Sequence, residues 1–259
     1  MSKRAFVSLF TIAMLTVCVS AQDGEEKRLG VDLDATYVSQ YMWRGYDILD
    51  GDPAFQPSVN FDLFQTGFSL NVWGSFGLSS GSEDYDELDY TLAWGRTFFE
   101  DAAYAIDFSA NYIYYDYPNV DSENADVQEI GVGISLPNLA PVGPGYLVPS
   151  YYAGYDWSAY SGGPEEGWFH IFGLGYDLPI PALLPDQEEQ ALSFTADLTY
   201  NDGAFDSDPC WSHTTAGLAT NFEWKGFTLT PSVNYQWSLD DSVNDEDEFW
   251  AGISLAYSF

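Results

Sequence analysis

The chain has 259 residues, of which 40 are acidic and 7 basic, and its formal net charge is −33 at pH 7. Such a polyanion repels nucleic acid, which excludes nucleic-acid binding. Aromatic residues make up 18% of the chain, and because disordered chains are poor in them, the acidity does not indicate disorder.

Residues 1–21 are predicted to be a signal peptide. Lys3 and Arg4 form a positive start, an apolar segment follows, and Val19-Ser20-Ala21 is a small-residue cleavage site. Residues 22–259 are predicted to be a single domain, because no Pro/Gly/Ser-rich linker divides them. Cys210 is then the only cysteine of the mature chain, so we expect no intramolecular disulfide.

After the signal peptide, apolar and polar residues alternate with a period of two. Leu33, Ala35 and Tyr37, for example, alternate with Asp34 and Thr36. This pattern predicts β-strands with one apolar and one polar face. No apolar run reaches the roughly 18 residues of a membrane helix, which excludes a helical membrane protein. About twelve strands are predicted, over residues 29–37, 55–63, 68–76, 87–94, 104–114, 130–136, 147–157, 168–176, 192–200, 214–224, 227–237 and 249–259.

The connections between these strands alternate in character along the chain. Odd-numbered connections are long and acidic: 44–54, 79–86, 116–125, 158–166, 202–212 and 240–248. Even-numbered connections include tight turns at 65–67, 100–102 and 225–226 and two longer, proline-rich segments at 137–145 and 179–189. This alternation predicts a closed antiparallel transmembrane β-barrel with short periplasmic turns and long acidic extracellular loops. A soluble β-sandwich is the alternative, but it gives no reason for sorting loops by parity.

The strand ends and the C-terminus support an outer-membrane location. Aromatic residues recur at both ends of the strands, as in the girdles of membrane barrels. The last strand ends with Leu255, Tyr257 and Phe259 at alternating positions, which resembles the C-terminal recognition signal of outer-membrane proteins. The expected partners are therefore outer-membrane lipid, lipopolysaccharide, and the barrel-assembly machinery through the Phe259 strand. The sequence neither requires nor excludes an oligomer.

The N-terminal third resembles the TorF-type porin family, whose members begin with a strand that ends in an aromatic-Arg-Gly step. The residues that carry this resemblance are Tyr37 to Gly45, with the sequence YVSQYMWRG, then Asp52 to Gln56, Val72 to Ser75, and Glu87 to Tyr90. Pro57 and Asn71 depart from the family pattern, where glycines are expected. The resemblance implies a small outer-membrane channel.

The polar faces of the predicted strands supply the candidate lumen residues. They are Asp32, Asp34, Asp62, Asn71, Asp89, Asp107, Asn111, Asp197 and Glu223, with Arg44 at the outer end of the first strand. A lumen lined by carboxylates and amides favours cations over anions. We therefore predict a channel for passive diffusion of small solutes, with a preference for cations and with no enzyme activity or cofactor.

Arg44 is the most suggestive single residue of this set. The preferred interpretation is that it anchors the first loop by pairing with Asp47, Asp50 or Asp52, and the alternative is that it contacts solute. Arg96 lies on the apolar face beside Phe98, where its guanidinium can reach the membrane interface, so we expect a structural role.

Two other functions remain open. A barrel of about twelve strands lies between filled and open barrels. Bulky inward residues can therefore plug it and leave a structural or adhesive barrel; these are Trp73, Ile113, Tyr115, Phe169 and Ile171. A lipid-modifying hydrolase would need His170 on the outer wall, but Ser158 falls on the opposite face, and His213 has no identifiable partner.

The acidic loops raise the question of calcium. Residues 83–87 and 240–248 form two clusters of carboxylates. Neither has the spacing of a dedicated calcium loop, so solvated loops are the preferred interpretation, and a metal site stays undecided.

Overall fold

The computed structural model describes residues 28–121, 125–184, 187 and 189–259. The predicted signal peptide lies outside the described residues, as do parts of the connections 116–125 and 179–189.

The described chain is a closed antiparallel barrel of twelve strands. They are β1 (Gly30–Val38), β2 (Ala54–Asp62), β3 (Phe68–Gly77), β4 (Glu87–Phe98), β5 (Ile106–Asp116), β6 (Val127–Ser135), β7 (Gly145–Ser158), β8 (Gly167–Ile180), β9 (Gln190–Asp202), β10 (Cys210–Thr220), β11 (Phe227–Ser238) and β12 (Glu248–Ser258). Four short strands, Met42–Trp43, Tyr46–Asp47, Ala140–Val142 and Phe222–Trp224, lie in the connections.

Each strand pairs with its neighbours in the chain, and the first pairs with the last. The pairing of β1 with β12 runs from Asp32 opposite Ser258 to Val38 opposite Gly252. This pairing satisfies the backbone groups of both terminal strands, as a sheet in a bilayer requires because lipid offers no hydrogen bonds. We call the barrel end at which β1 begins and β12 ends the turn end, and the opposite end the loop end.

The alternation of side chains is the one that the sequence predicted. Apolar side chains such as Leu33, Leu92, Val132 and Ile253 lie exposed on the outer wall. Their neighbours Asp34, Thr91, Gly131 and Gly252 occupy inward positions. The outer wall therefore offers lipid an apolar surface, and the polar side chains lie inside. Aromatic side chains are exposed near both rims, among them Phe55, Trp168, Trp237, Phe98 and Trp224.

Two predicted details are wrong. Arg44 does not lie at the outer end of the first strand, because that strand ends at Val38. The tenth strand does not run to Trp224: it ends at Thr220, and Phe222–Trp224 forms a separate short strand.

The described residues contain no helix that is long and apolar enough to span a membrane.

Candidate functional site: a loop inside the barrel

The connection from β1 to β2, residues 39–53, folds into the loop-end half of the barrel; we call it loop 1. Its tip is a two-residue hairpin in which Met42 faces Asp47 and Trp43 faces Tyr46. Both central residues have positive φ, 46° at Arg44 and 100° at Gly45, as type I′ turns require. A left-handed backbone at a non-glycine residue costs about 1–2 kcal/mol, so the contacts of Arg44 must offset this cost.

Arg44 forms the central contact of loop 1 with the barrel wall. Its Nη1 donates to Asp156 Oδ2 at 2.9 Å, and its Nη2 donates to Glu129 Oε2 at 2.5 Å. All three side chains are 1% exposed or less. Arg44 therefore anchors loop 1, as the preferred interpretation held, but its expected pairing with Asp47, Asp50 or Asp52 is wrong because the chain turns inward after Val38.

The two carboxylates lie directly opposite each other on adjacent strands, Asp156 on β7 and Glu129 on β6. Like charges at such a position destabilise a sheet unless a cation lies between them. The guanidinium of Arg44 supplies that cation. Burial on its own would lower the pKa of Arg44, but Glu129 and the other acidic neighbours together outweigh this effect, and the pKa rises above its ordinary value. Arg44 thus stays charged.

Tyrosine hydroxyls complete the surroundings of Glu129. Tyr115 donates to Glu129 Oε2 at 2.8 Å, and Tyr152 donates to Glu129 Oε1. Gly131 is needed here, because a side chain at that position would overlap the Tyr152 hydroxyl. Hydrogen bonds to a charged group contribute about 1.5–3 kcal/mol each, so this network fixes the carboxylate in place.

Aromatic rings enclose the Arg44 guanidinium. Its central carbon lies 4.7 Å from the ring centroid of Trp43, 4.8 Å from that of Phe169 and 5.7 Å from that of Tyr152. Trp43 in turn packs against Tyr115, Phe169 and Phe205 at centroid distances of 5.2–5.9 Å. The guanidinium is therefore bound by carboxylates and by ring faces, and cation–π contacts add about 0.5–2 kcal/mol when water is excluded.

Other parts of loop 1 contact the wall on several sides. Tyr41 donates to Glu87 on β4 at 2.8 Å, and Gln236 on β11 donates to the carbonyl of Gly45 at 2.9 Å. Tyr46 accepts a hydrogen bond from Asn201 on β9 at 3.0 Å. Because these strands lie on different sides of the barrel, loop 1 crosses the lumen.

The two halves of the lumen differ in their access to water. Inward side chains of the loop-end half are buried, and they include Ile113, Tyr115, Phe169 and Ile171. These are four of the five residues that were predicted to plug the barrel, and the fifth, Trp73, packs against Tyr41 at 5.8 Å. The turn-end half is more open, because Asp32 is exposed and Asp34, Asp62 and Asp107 are half-buried.

The structure places the predicted lumen residues in two groups. Asp32, Asp34, Asp62 and Asp107 line the open turn-end half, and Glu223 lies exposed at its rim. Asp34 and Asp107 accept hydroxyl hydrogen bonds, each at 2.7 Å, from Thr36 and Thr97. Asn71, Asp89, Asn111 and Asp197 lie deeper. Among these, Asn111 bonds with the Tyr152 hydroxyl at 3.1 Å and so belongs to the Arg44 network.

Glu129 and Asp156 are functional candidates that the sequence did not single out, and Glu87 was considered only as part of the acidic cluster 83–87. All three occupy inward positions near the loop end, on strands whose parity was already assigned. The alternation along these strands could have predicted that their side chains face the lumen. Nothing in the sequence could have predicted that all three contact loop 1, because those contacts depend on the inward path of the loop.

The two histidines differ from expectation in one respect. His170 lies on the outer wall with the Tyr151 hydroxyl at 2.8 Å from its Nδ1. His213, for which no partner was identified, has Ser212 Oγ at 3.0 Å from Nδ1 and Asp197 Oδ1 at 3.7 Å from Nε2. A bulge near Thr199 and Tyr200 turns Ser212 and His213 to the same side; Ser212 is fully buried, and His213 lies next to Gly45 of loop 1.

An open, acidic cavity of about 490 Å³ lies at the loop end, between loop 1 and the last connection. Gln40 bridges Asp47 and Glu248 at its edge, with distances of 2.9 and 2.8 Å. Among the described residues no three His, Cys, Asp or Glu side chains are grouped so that they could hold a metal ion.

The closed barrel with an apolar outer wall defines the class of protein: the chain is an outer-membrane β-barrel. No family model matches the sequence, and no curated protein matches it.

Solved structures with the same fold include a NanC porin, 10% identical, with a TM-score of 0.52 over 88% of this chain and 98% of that one. An outer membrane channel from Pseudomonas putida F1 is 10% identical, with a TM-score of 0.50 over 93% and 100%. LpxR from Salmonella typhimurium is 10% identical, with a TM-score of 0.55 over 87% and 99%. At this identity the likeness establishes the fold.

Proposed function

We propose that this protein is a non-enzymatic outer-membrane channel for small solutes and that loop 1 controls its lumen. The observation that carries the proposal is the contrast between the two halves of the barrel. The turn-end half is lined by water-accessible carboxylates, and the loop-end half is filled by a loop that side-chain contacts hold in place. A purely structural barrel has no need for a hydrated, charged interior.

We include in this proposal that the chain is related to the TorF-type porins, which its N-terminal third resembles. Its most specific residues, Trp43-Arg44-Gly45, form the hairpin tip of loop 1. The aromatic-Arg-Gly step then has a physical role in this chain: the aromatic residue packs in the lumen, the arginine pairs with the wall and the glycine allows the turn.

The proposed selectivity is for cations. Asp32, Asp34, Asp62 and Asp107 line the open half. Few basic residues accompany them in the part of the chain that the structure describes: Arg44 is paired, Arg96 is exposed on the outer wall beside Phe98, and Arg28 and Lys225 are exposed at the turn end, outside β1 and β11. A ring of carboxylates in a pore raises the local concentration of cations and repels anions.

The test is conductance in planar bilayers with an asymmetric salt gradient. The wild type should give brief openings with a reversal potential that favours K⁺ over Cl⁻. A variant with Asp32, Asp34, Asp62 and Asp107 changed to Asn should open as often but lose most of that preference. If the folded wild type and the Arg44→Ala variant both fail to conduct, the protein is not a channel and a structural or adhesive role gains support.

A second candidate function rests on the Ser212–His213–Asp197 contacts. A serine oxygen lies 3.0 Å from one ring nitrogen of a histidine, and a carboxylate oxygen lies 3.7 Å from the other, which is beyond hydrogen-bond distance; the grouping resembles the one that hydrolases use to activate a nucleophile. The enclosed Ser212 would need loop 1 to move before a substrate could reach it. Labelling by a fluorophosphonate that is lost in Ser212→Ala, but kept in Ser158→Ala, would favour this candidate.

A further inference from the structure

The binding site that holds Arg44 is complete on the barrel wall without loop 1. Its parts are Glu129 on β6, Tyr152 and Asp156 on β7, Tyr115 on β5 and Phe169 on β8. Loop 1 contributes the guanidinium and the ring of Trp43. If loop 1 moved, the wall would keep two opposed carboxylates flanked by aromatic rings.

We propose that this wall site binds free guanidinium-bearing solutes, and that Arg44 is a tethered occupant that such solutes displace. The inference rests on the proposed channel function and specifies its solute class. Displacement of Arg44 would release the tip of loop 1 and open the loop-end half of the lumen.

The charge of the site requires a cation. Asp156 and Glu129 are cross-strand neighbours, and both are fully buried. Removing Arg44 with nothing in its place leaves uncompensated buried charge, which is strongly unfavourable. A cation that enters as Arg44 leaves avoids this state, so exchange is easier than simple release.

The geometry favours guanidinium over ammonium. Two separate nitrogens of Arg44 reach two carboxylates on different strands, at 2.9 and 2.5 Å, and the planar group lies within 6 Å of three ring centroids. A forked planar donor fits such a pair, whereas an ammonium is a point charge on a flexible stem.

The site also has unused binding capacity. Asp156 Oδ1 and Arg44 Nε are buried without a hydrogen-bond partner. Because Arg44 is attached to loop 1, its guanidinium cannot turn so that every buried donor and acceptor of the site finds a partner. A free solute can rotate within the site and donate to Asp156 Oδ1 as well, which lets it compete with an occupant that has the advantage of being attached.

The first experiment is chemical rescue in planar bilayers. Arg44→Ala should raise the fraction of time spent open, and guanidinium ion should lower it again, with half-maximal effect at a concentration at least tenfold below that of methylammonium at constant ionic strength. Arg96→Ala, which removes an arginine from the outer wall, is the matched control and should show neither effect. Rescue should be lost in the Arg44→Ala/Glu129→Gln double variant.

Equal effects of guanidinium and methylammonium on Arg44→Ala would overturn the inference while leaving the channel proposal intact. Permeation into liposomes that contain the wild-type protein provides a second test that does not depend on the folding of a variant. Agmatine should enter at least fivefold faster than 1,5-diaminopentane, which carries the same charge without a guanidinium. Equal entry refutes the solute class, and no entry of either refutes the channel itself.

Discussion

Gly45→Ala tests the role of loop 1 without changing any charge. Gly45 has φ of 100°, where an alanine is strained, and the added Cβ would lie 2.5 Å from His213 Nδ1 and 2.9 Å from Val243 Cγ1. A residue forced into a sparsely populated backbone region costs about 1–3 kcal/mol. His213 is buried, so it has little room to move away.

This strain falls on the docked conformation of loop 1, because an undocked loop can relax its backbone. A penalty of about 1–3 kcal/mol shifts the equilibrium between docked and undocked loop about 5- to 150-fold toward the undocked state. We therefore expect the open fraction of single channels to rise by a factor in that range, as far as the ceiling of full opening allows. The cation preference should not change, since the carboxylates of the turn-end half of the lumen are untouched.

Gly51→Ala is the matched control for this prediction. Gly51 lies in the same loop with φ of 82°, but an added Cβ would meet nothing within 4 Å. It shares the backbone strain and lacks the contact with the wall, so its effect should be clearly smaller. Migration on a gel with and without heating verifies that each variant forms an intact barrel. An open fraction for a folded Gly45→Ala that matches the wild type would refute the role of loop 1 as the closing element.

Three further predictions concern the contacts around loop 1. Burial raises the pKa of Asp47, against the hydrogen bond from Gln40, so the docked loop binds the proton more tightly than the free loop does. Docking should therefore tighten as pH falls toward the ordinary Asp range, and it should weaken, with a higher open fraction, as pH rises through the raised pKa. Asp47→Asn should reduce this pH dependence of the open fraction, although the Gln40 amide also donates to Glu248. Tyr152→Phe removes a hydroxyl that donates to buried Glu129 and should lower the free energy of unfolding by about 1–3 kcal/mol in urea titrations. Tyr151→Phe, whose hydroxyl lies on the outer wall beside His170, should change it by less than half of that amount, and equal losses would contradict the importance of the Glu129 network.

The alternation of residues along the chain was sufficient to predict the barrel. A membrane strand must put every second side chain into lipid, and the energetic cost of a charge there keeps the alternation strict over many residues. Strands such as β6 and β11 could therefore be assigned, with the inward direction of Asp34, Asn111 and Asp197, from the sequence alone. The number of strands followed because each strand carries the same signal.

Only the tertiary structure decided where loop 1 goes and what it contacts. Its partners Glu129 and Asp156 are 85 and 112 residues away in the chain, and no local pattern links positions at such a distance. The sequence suggested nearby acids for Arg44 because separation along the chain was the only measure of proximity that it offered. Closure of the barrel places β6 and β7 across the lumen from β1. The guanidinium of Arg44 there meets two opposed carboxylates, Glu129 and Asp156, whose negative charge is compensated by a cation. This pairing stabilises the inward path of loop 1.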